Sequence, residues 1–362
     1  MVSVADSGQP QGFSAQHKVK AQLGKYLVTK KLGAGFSATI RLAHTEDGTS
    51  YALKIFDRSK PENDDKFLQL VDEEVSATLE LKHKNIVKYF EFEKDAEYVK
   101  SDGSKKKVAY IAQEPIMGGE LFAHIYHTGI FEEAQCRYFF KQILSGIGFM
   151  HRSGFSHRDL KPENIVLDHN FDCKVVDFGF AAPLEGRDGS GFQRTFRGTL
   201  AYMAPEILNR EAYQGDSVDL FALGCILFVM RSGAMPFDKT AQSNDEIYKF
   251  FAINRVDKYW ATHEQGKEPG YFSAEFKDLI SQLLHYTPQH RPMLADIIAH
   301  PWLQGPTATN AEIKQEFQNR LNIVNNRVQE EFLEEKRQAR ARRGAFEYGN
   351  KLYVYGDLTQ GE

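Results

Sequence analysis

At Gly118-Gly119 the hydrophobic pattern of this chain changes period, and few folds accommodate such a change. Before the pair the chain reads mainly as strands. YLVTKKLG closes on a glycine, TIRLAHT alternates, EDGT turns, and SYALKIFD runs back. IVKYFEFEKD and KVAYIAQE follow, with YVKSDGSKKK between them read as a polar, lysine-rich hairpin tip. One helix interrupts, residues 61–82, with Phe67, Leu70, Val71 and Val75 on one stripe. After the pair, helical spacing dominates: residues 133–152 carry Cys136, Phe139, Phe140, Ile143, Leu144 and Ile147 on one face, and helices fill most of 217–302. IVL and CKVV flank DHNFD as a short hairpin. The expectation is an α+β, bilobal chain. Its small N-terminal lobe has a five-stranded antiparallel sheet plus one helix, its larger lobe is mainly helical, and a cleft lies between them.

Composition narrows the function. With 26% charged residues and a formal net charge of -4, no basic excess points to nucleic acid as a partner. The three cysteines, Cys136, Cys173 and Cys225, lack ligand or disulfide spacing, so buried thiols in a reducing compartment are expected. The longest apolar run, Leu220 to Met230, suits a core helix and is too short for a bilayer. No secretory pattern opens the chain, so a cytoplasmic or nuclear location and no membrane partner are expected. Residues 1–25 read as a flexible leader, 26–303 as the catalytic unit, and 304–362 as a tail.

Three groups of residues carry chemistry. Gly33-Ala34-Gly35-Phe36-Ser37-Ala38 joins two strands, where glycines let backbone N–H groups approach phosphate oxygens. It opens no helix, which argues against a dinucleotide fold, and there is no P-loop lysine. Lys54 sits on the next strand among apolar neighbours, within reach of phosphates under that loop. Such a lysine needs a carboxylate. Glu73 and Glu74 lie on the following helix, and phase favours Glu74, which shares a face with Phe67, Leu70, Val71 and Ala77. The strongest group is His157-Arg158-Asp159-Leu160-Lys161-Pro162-Glu163-Asn164, a polar run between a helix and a short strand. Asp159 and Asn164 can converge on one site, and Asp177-Phe178-Gly179 brings a third oxygen donor. Asn164 and Asp177 are hard ligands suited to Mg²⁺.

Taken together, these motifs resemble the eukaryotic protein kinase family over roughly residues 26–303. Ala204-Pro205-Glu206 resembles the end of an activation segment that begins at Asp177, and Asp219 resembles the family's buried helix anchor. Arg291 looks like the ion-pair partner of Glu206, and His300-Pro301-Trp302 like the end of the domain. The resemblance implies ATP and Mg²⁺ as cofactors. It makes Asp159 the catalytic base, Lys161 a neutraliser of phosphoryl charge, and Asn164 and Asp177 the metal ligands. Lys54, fixed by Glu74, would hold the α- and β-phosphates. Glu114 and Ile116 would offer backbone groups to adenine with Gln113 behind, and Leu32, Ile40, Ala52 and Val166 would wall the base.

Lys161 and Gly198-Thr199-Leu200-Ala201-Tyr202-Met203 resemble the serine/threonine branch, and the helical lobe with Glu120 and Glu163 looks most like its calcium/calmodulin-dependent and AMP-activated groups. Phe180 after the Asp-Phe-Gly triplet favours serine. Glu120 and Glu163, at the same cleft, match positions that bind substrate arginines, so protein substrates with Arg two or three residues before the target are expected. Arg158 beside Asp159 implies control by phosphate on Thr195, set by an upstream activating kinase, with Thr199 structural. Thr78 and Tyr89 fall where the stack beneath Phe178 and His157 usually has larger aliphatic residues. A pseudokinase scaffold and a small-molecule phosphotransferase are the rival readings. The first would lack a member of the set Lys54, Glu74, Asp159, Asn164 and Asp177, and none is missing.

In the tail, Ile313, Phe317, Leu321, Val324, Val328 and Phe332 mark an amphipathic helix ending in RQARARR. Calmodulin binding suits a basic amphipathic helix. Packing against the catalytic unit, or a short coiled coil, is favoured over it because acidic and basic residues balance in the tail, and autoinhibition by the tail is the alternative.

Overall fold

The structure is a computed structural model that describes residues 19–34, 38–60, 64–79, 81–186 and 188–347. The N-terminal lobe holds β1 (Ala21–Leu23), β2 (Tyr26–Ala34), β3 (Ala38–His44), β4 (Ser50–Asp57), β5 (Tyr89–Lys100) and β6 (Lys105–Gln113). They pair in the order β1-β2-β3-β4-β6-β5, and β1 also pairs with β5. The expected five-stranded sheet is therefore a closed, six-stranded barrel. Its extra strand comes from within the stretch read as a leader: Ala21 and Leu23 point inward while Gln22 points out. Leu23, Tyr26, Val28, Leu53 and Val108 fill the barrel, so β1 hides a sheet edge and adds to the core. The hairpin tip is also shorter than expected. Tyr98–Lys106 and Val99–Lys105 are paired, and Gly103 turns the chain at φ 82°.

Helix α1 (Asp65–Thr78) starts at Asp64, whose side chain accepts the Phe67 N–H. Val71 and Val75 of the expected stripe enter the main core beside Phe56 with Phe67 partly buried against it, and Leu68, outside that stripe, joins them.

The second lobe comprises α2 (Leu121–Thr128), α3 (Glu133–Arg152), the strands β7 (Phe155–Ser156), β8 (Ile165–Leu167), β9 (Cys173–Val175) and β10 (Ala182–Pro183), and then helices. These are α4 (Pro205–Leu208), α5 (Gly215–Ser232), α6 (Lys249–Ala252), α7 (Val256–His263), α8 (Ala274–Leu283), α9 (Leu294–Ala299), α10 (Pro301–Gln304) and α11 (Asn310–Glu347). Helix α5 is apolar nearly all round and buried along most of its length, as its sequence requires.

The connector between the lobes is fixed to the floor of the cleft. Gly118 donates to Leu167 O and Leu167 donates back to Gly119 O. A Cβ on Gly118 would strike the carbonyl oxygens of Leu167 and Asp168, so only glycine permits this approach. Val166 thereby lies against Glu120 through a β-bridge. On the other side of the cleft, the register places Ala52 opposite Gln113 and Lys54 opposite Ile40.

Candidate active site

Polar side chains are costly to bury unless they are bonded, and here they are bonded to one another. Asp219, 1% exposed on α5, accepts the backbone N–H groups of His157 (2.8 Å) and Arg158 (2.7 Å), and also contacts His151 Nε2 at 2.8 Å. These bonds hold Arg158 at φ 63°, a backbone conformation that a non-glycine residue adopts only under constraint. The loop therefore turns sharply just before Asp159.

Asp159 is clamped from two sides. Its Oδ1 accepts the Thr199 N–H and hydroxyl, both at 2.7 Å. Its Oδ2 faces Lys161 Nζ at 3.0 Å and accepts from Asn164 Nδ2 at 3.3 Å. Lys161 also donates to Thr199 Oγ1 at 2.7 Å. Thr199 thus ties the activation segment to the catalytic loop. Asn164 Nδ2 donates to Asp159 O as well, at 2.8 Å, which leaves its Oδ1 as the end able to take a cation.

Asp177, also at φ 63°, meets Lys54 Nζ at 2.6 Å. Burial pushes its carboxyl up, but Lys54, His157 and the Gly179 amide outweigh burial and hold it below the usual carboxylate range. It is anionic at neutral pH, and its side chain is 44% exposed, open to the cleft. Beneath it Phe178 is buried edge-on between Tyr89 and His157, with ring centroids 5.7 and 5.3 Å apart. Tyr89 fills its place in the stack with an aromatic ring. Gly35, Phe36 and Ser37, with the side chains of Ala34, Glu73, Glu74 and Thr78, lie outside the described residues. The expected Lys54–Glu74 contact lies there too.

Arg158 reaches the activation segment. Its guanidinium donates to Phe180 O (2.7 Å), Gln193 Oε1 (3.3 Å) and Thr195 Oγ1 (3.0 Å). Thr195 is exposed, and Tyr213 Oη donates to its carbonyl at 2.9 Å. Gln193 and Tyr213 pair through their backbones and build this cradle. Sequence reading missed both, because neither belongs to a motif and they lie 20 positions apart.

Glu120 and Glu163 come close enough to interact. Glu120 is itself exposed, and the loss of hydration around its carboxyl first, and then the Glu163 charge, raise its pKa. Glu163 Oε2 is buried without a hydrogen-bond partner. Two repelling carboxylates, one with an unsatisfied oxygen, form an arrangement that a nearby positive charge would relieve. Glu206 and Arg291 form a buried two-pronged pair at 2.7 and 2.8 Å, and the Arg291 guanidinium lies 5.0 Å from the centre of the Phe221 ring. At the other end of the lobe, Trp302 Nε1 donates to Glu133 and its carbonyl accepts from Arg137.

The residues expected around adenine differ in exposure. Ala52 and Gln113 are buried, while Leu32, Ile40, Glu114, Ile116 and Val166 are partly exposed. The Glu114 N–H is given to Lys88 O, and its carboxylate pairs with Lys174 at 3.0 Å.

Comparison with known proteins agrees with this geometry. The protein kinase domain family matches residues 26–303. CBL-interacting protein kinase 12 of Oryza sativa subsp. japonica is 35% identical over 283 residues, which are 78% of this chain and 48% of that protein. CBL-interacting serine/threonine-protein kinases 26 and 24 of Arabidopsis thaliana are 34% and 35% identical over 79% of this chain, and 60% and 59% of theirs. The chain thus spans about half to three fifths of the length of these relatives. On fold, site and family match together, the chain belongs to the protein kinase family.

Proposed function

We propose that this protein is a serine/threonine kinase that transfers the γ-phosphoryl group of ATP to protein hydroxyls. The observation that carries the reading is the clamped Asp159 carboxylate, set between Lys161 and Thr199 and beside Asn164, with Lys54 and Asp177 facing the same cleft. Asp159 aims the incoming hydroxyl and takes its proton. Lys161 offsets charge on the moving phosphoryl group. Lys54, paired with Asp177 here, is the cation for the α- and β-phosphates, with Glu74 as its further partner. Glu114 and Ile116 present backbone to adenine, Gln113 sits behind, and Leu32, Ile40, Ala52 and Val166 give apolar walls.

The donor set suits Mg²⁺: an anionic Asp177 and the free Oδ1 of Asn164 are both hard oxygen ligands. When bound, the metal supplies positive charge for the phosphate oxygens. Most of the rate comes from placement and charge, which the bonded loop provides.

Two finer readings have support. Glu163 Oε2 without a partner beside Glu120 favours substrates with Arg two or three residues before the target. The Arg158–Thr195 contact favours activation by phosphate on Thr195, placed there by an upstream kinase. The three buried free thiols suit a reducing compartment.

The test is phosphotransfer from Mg-ATP to a degenerate Ser/Thr peptide library. Asp159→Asn is expected to lower the rate by about 10²–10⁴; full activity in that variant overturns the assignment. A library with no preference for upstream Arg removes the substrate reading alone.

A further inference from the structure

The connector that joins β6 to α2 is anchored at its two ends. At its start, the Glu114 N–H is given to Lys88 O at 3.0 Å, and the Glu114 carboxylate accepts the Lys88 N–H at 2.8 Å. At its end, Gly118 N–H donates to Leu167 O at 2.7 Å and Leu167 N–H donates to Gly119 O at 2.9 Å. Among the described residues, Pro115, Ile116 and Met117 make no backbone-to-backbone hydrogen bond, so their placement follows from the two anchors.

A third bond at the second anchor comes from α2. His124 Nε2 lies 2.7 Å from Gly118 O. A carbonyl oxygen only accepts, so Nε2 carries the hydrogen and donates it. The other ring nitrogen, Nδ1, is buried with no hydrogen-bond partner among the described residues. His124 is fully buried, and rings pack on it: the centroids of Phe171 and of Phe317 on α11 lie 6.4 and 5.2 Å away. Leu321 Cδ1 would stand 3.7 Å from a Cβ on Gly119, so α11 closes over the same corner. An aliphatic or phenyl side chain would suit such surroundings with no polar atom left over. None could hold Gly118 O, so this bond is what the imidazole adds. Burial lowers the imidazole pKa against the opposing pull of the Gly118 carbonyl, and the Arg320 charge lowers it further, so the neutral ring prevails at pH 7.

We propose that His124 is a positioning residue for the nucleotide: by holding Gly118 O it sets where Ile116 stands toward adenine. The proposal rests on the reading above that Glu114 and Ile116 present their backbone to the base. Gly118 is buried, so losing the donor leaves its carbonyl unsatisfied and lets that peptide turn toward water. Ile116, two residues earlier and unbonded, moves with it. The bonds that clamp Asp159 come from Thr199, Lys161 and Asn164 and do not pass through this peptide. The effect therefore falls on nucleotide affinity and spares the transfer step.

The experiment compares His124→Phe, which keeps a ring and loses the donor, with His124→Gln, which keeps an N–H of similar reach, both in the full-length protein. Calorimetry gives the Kd for Mg-ADP, and peptide phosphorylation gives KM for ATP and kcat. His124→Phe is expected to raise Kd and KM about fivefold or more, with kcat at saturating ATP within about twofold of wild type. His124→Gln is expected to stay near wild type in all three. His124→Leu is the second donor-free variant, measured in place of His124→Phe if that one does not fold; if neither folds, the bond serves the fold and the proposal is overturned. An unchanged Kd in a folded donor-free variant also overturns it, and so does an equal rise in His124→Gln, which would assign the effect to packing. Wild-type protein that binds no ADP sinks the nucleotide reading and the proposal with it, whereas wild-type binding that His124→Phe leaves intact sinks the proposal alone.

Discussion

The catalytic loop and helix α11 are both held on the second lobe, but by opposite means. The loop His157–Asn164 is held by polar groups: Asp219 receives two backbone N–H groups, and Asp159 receives Thr199, Lys161 and Asn164. Each bond has a direction, so the loop has one geometry. Helix α11 is held by an apolar stripe. Phe317 is fully buried against Phe131, Phe139, Phe171 and His124, and Ile313 and Val324 are buried with it. One cation adds direction: Arg320 donates to Thr128 Oγ1 (2.8 Å), Gly129 O (2.9 Å) and Ile130 O (3.2 Å), satisfying carbonyls at the end of α2. A polar network places atoms for chemistry, and an apolar stripe places an element. Disturbing the first should cost activity and stability together, and disturbing the second mainly stability.

The largest expected effect is at Asp219. Asp219→Ala leaves the N–H groups of His157 and Arg158 buried without their acceptor and removes the support for Arg158 at φ 63°. Losing a buried charged acceptor of two donors costs about 4 kcal/mol. Denaturant unfolding should show that loss, and kcat on a peptide should fall more than tenfold at a temperature where the variant is folded. Retained kcat would mean that Asp219 holds the lobe together without aiming Asp159.

The second effect is at Phe317. Phe317→Ala removes a fully buried ring and should cost about 3 kcal/mol, measured as a drop in unfolding midpoint with kcat within a few-fold of wild type. The same contacts bear on the alternative in which the tail inhibits the kinase. Deleting 304–362 would uncover Phe131, Phe139 and Phe171, so a change in rate after that cut would mix regulation with damage. A cut after Asn325 leaves the buried residues Ile313, Phe317 and Val324 in place and isolates any regulatory part.

How much of this could be read from the sequence follows from range. Lys54, the loop around Asp159, Asp177 and the α3 stripe are local patterns, and each stands where its spacing placed it. The Thr195–Arg158 contact was also foreseeable, because it follows from a motif. Strand β1 was not: three residues are too short for an alternation to register, and their meaning depends on β5, far along the chain. The cradle of Gln193 and Tyr213 and the cap from Arg320 onto α2 were invisible for the same reason. They join residues 18 to 192 positions apart through bonds that no composition or period announces.

The smallest effect marks where the apolar stripe stops acting. The sequence continues the stripe through Val328 and Phe332, as if α11 were docked along its length. The structure ends the apolar burial near Val324, with only a marginal His127–Glu331 contact at 4.0 Å beyond it: Val328 and Leu333 are each 48% exposed, and the described side chains from residue 325 to 338 are all exposed. A side chain already in water loses little on truncation, so Val328→Ala and Leu333→Ala should each change stability by less than about 0.5 kcal/mol. Val324→Ala, one helical turn before Val328 and 4% exposed, should cost several times more. Equal losses at Val324 and Val328 in denaturant unfolding would mean that the second half of α11 is docked in solution, and that the contrast between a bonded loop and a half-held helix is drawn in the wrong place.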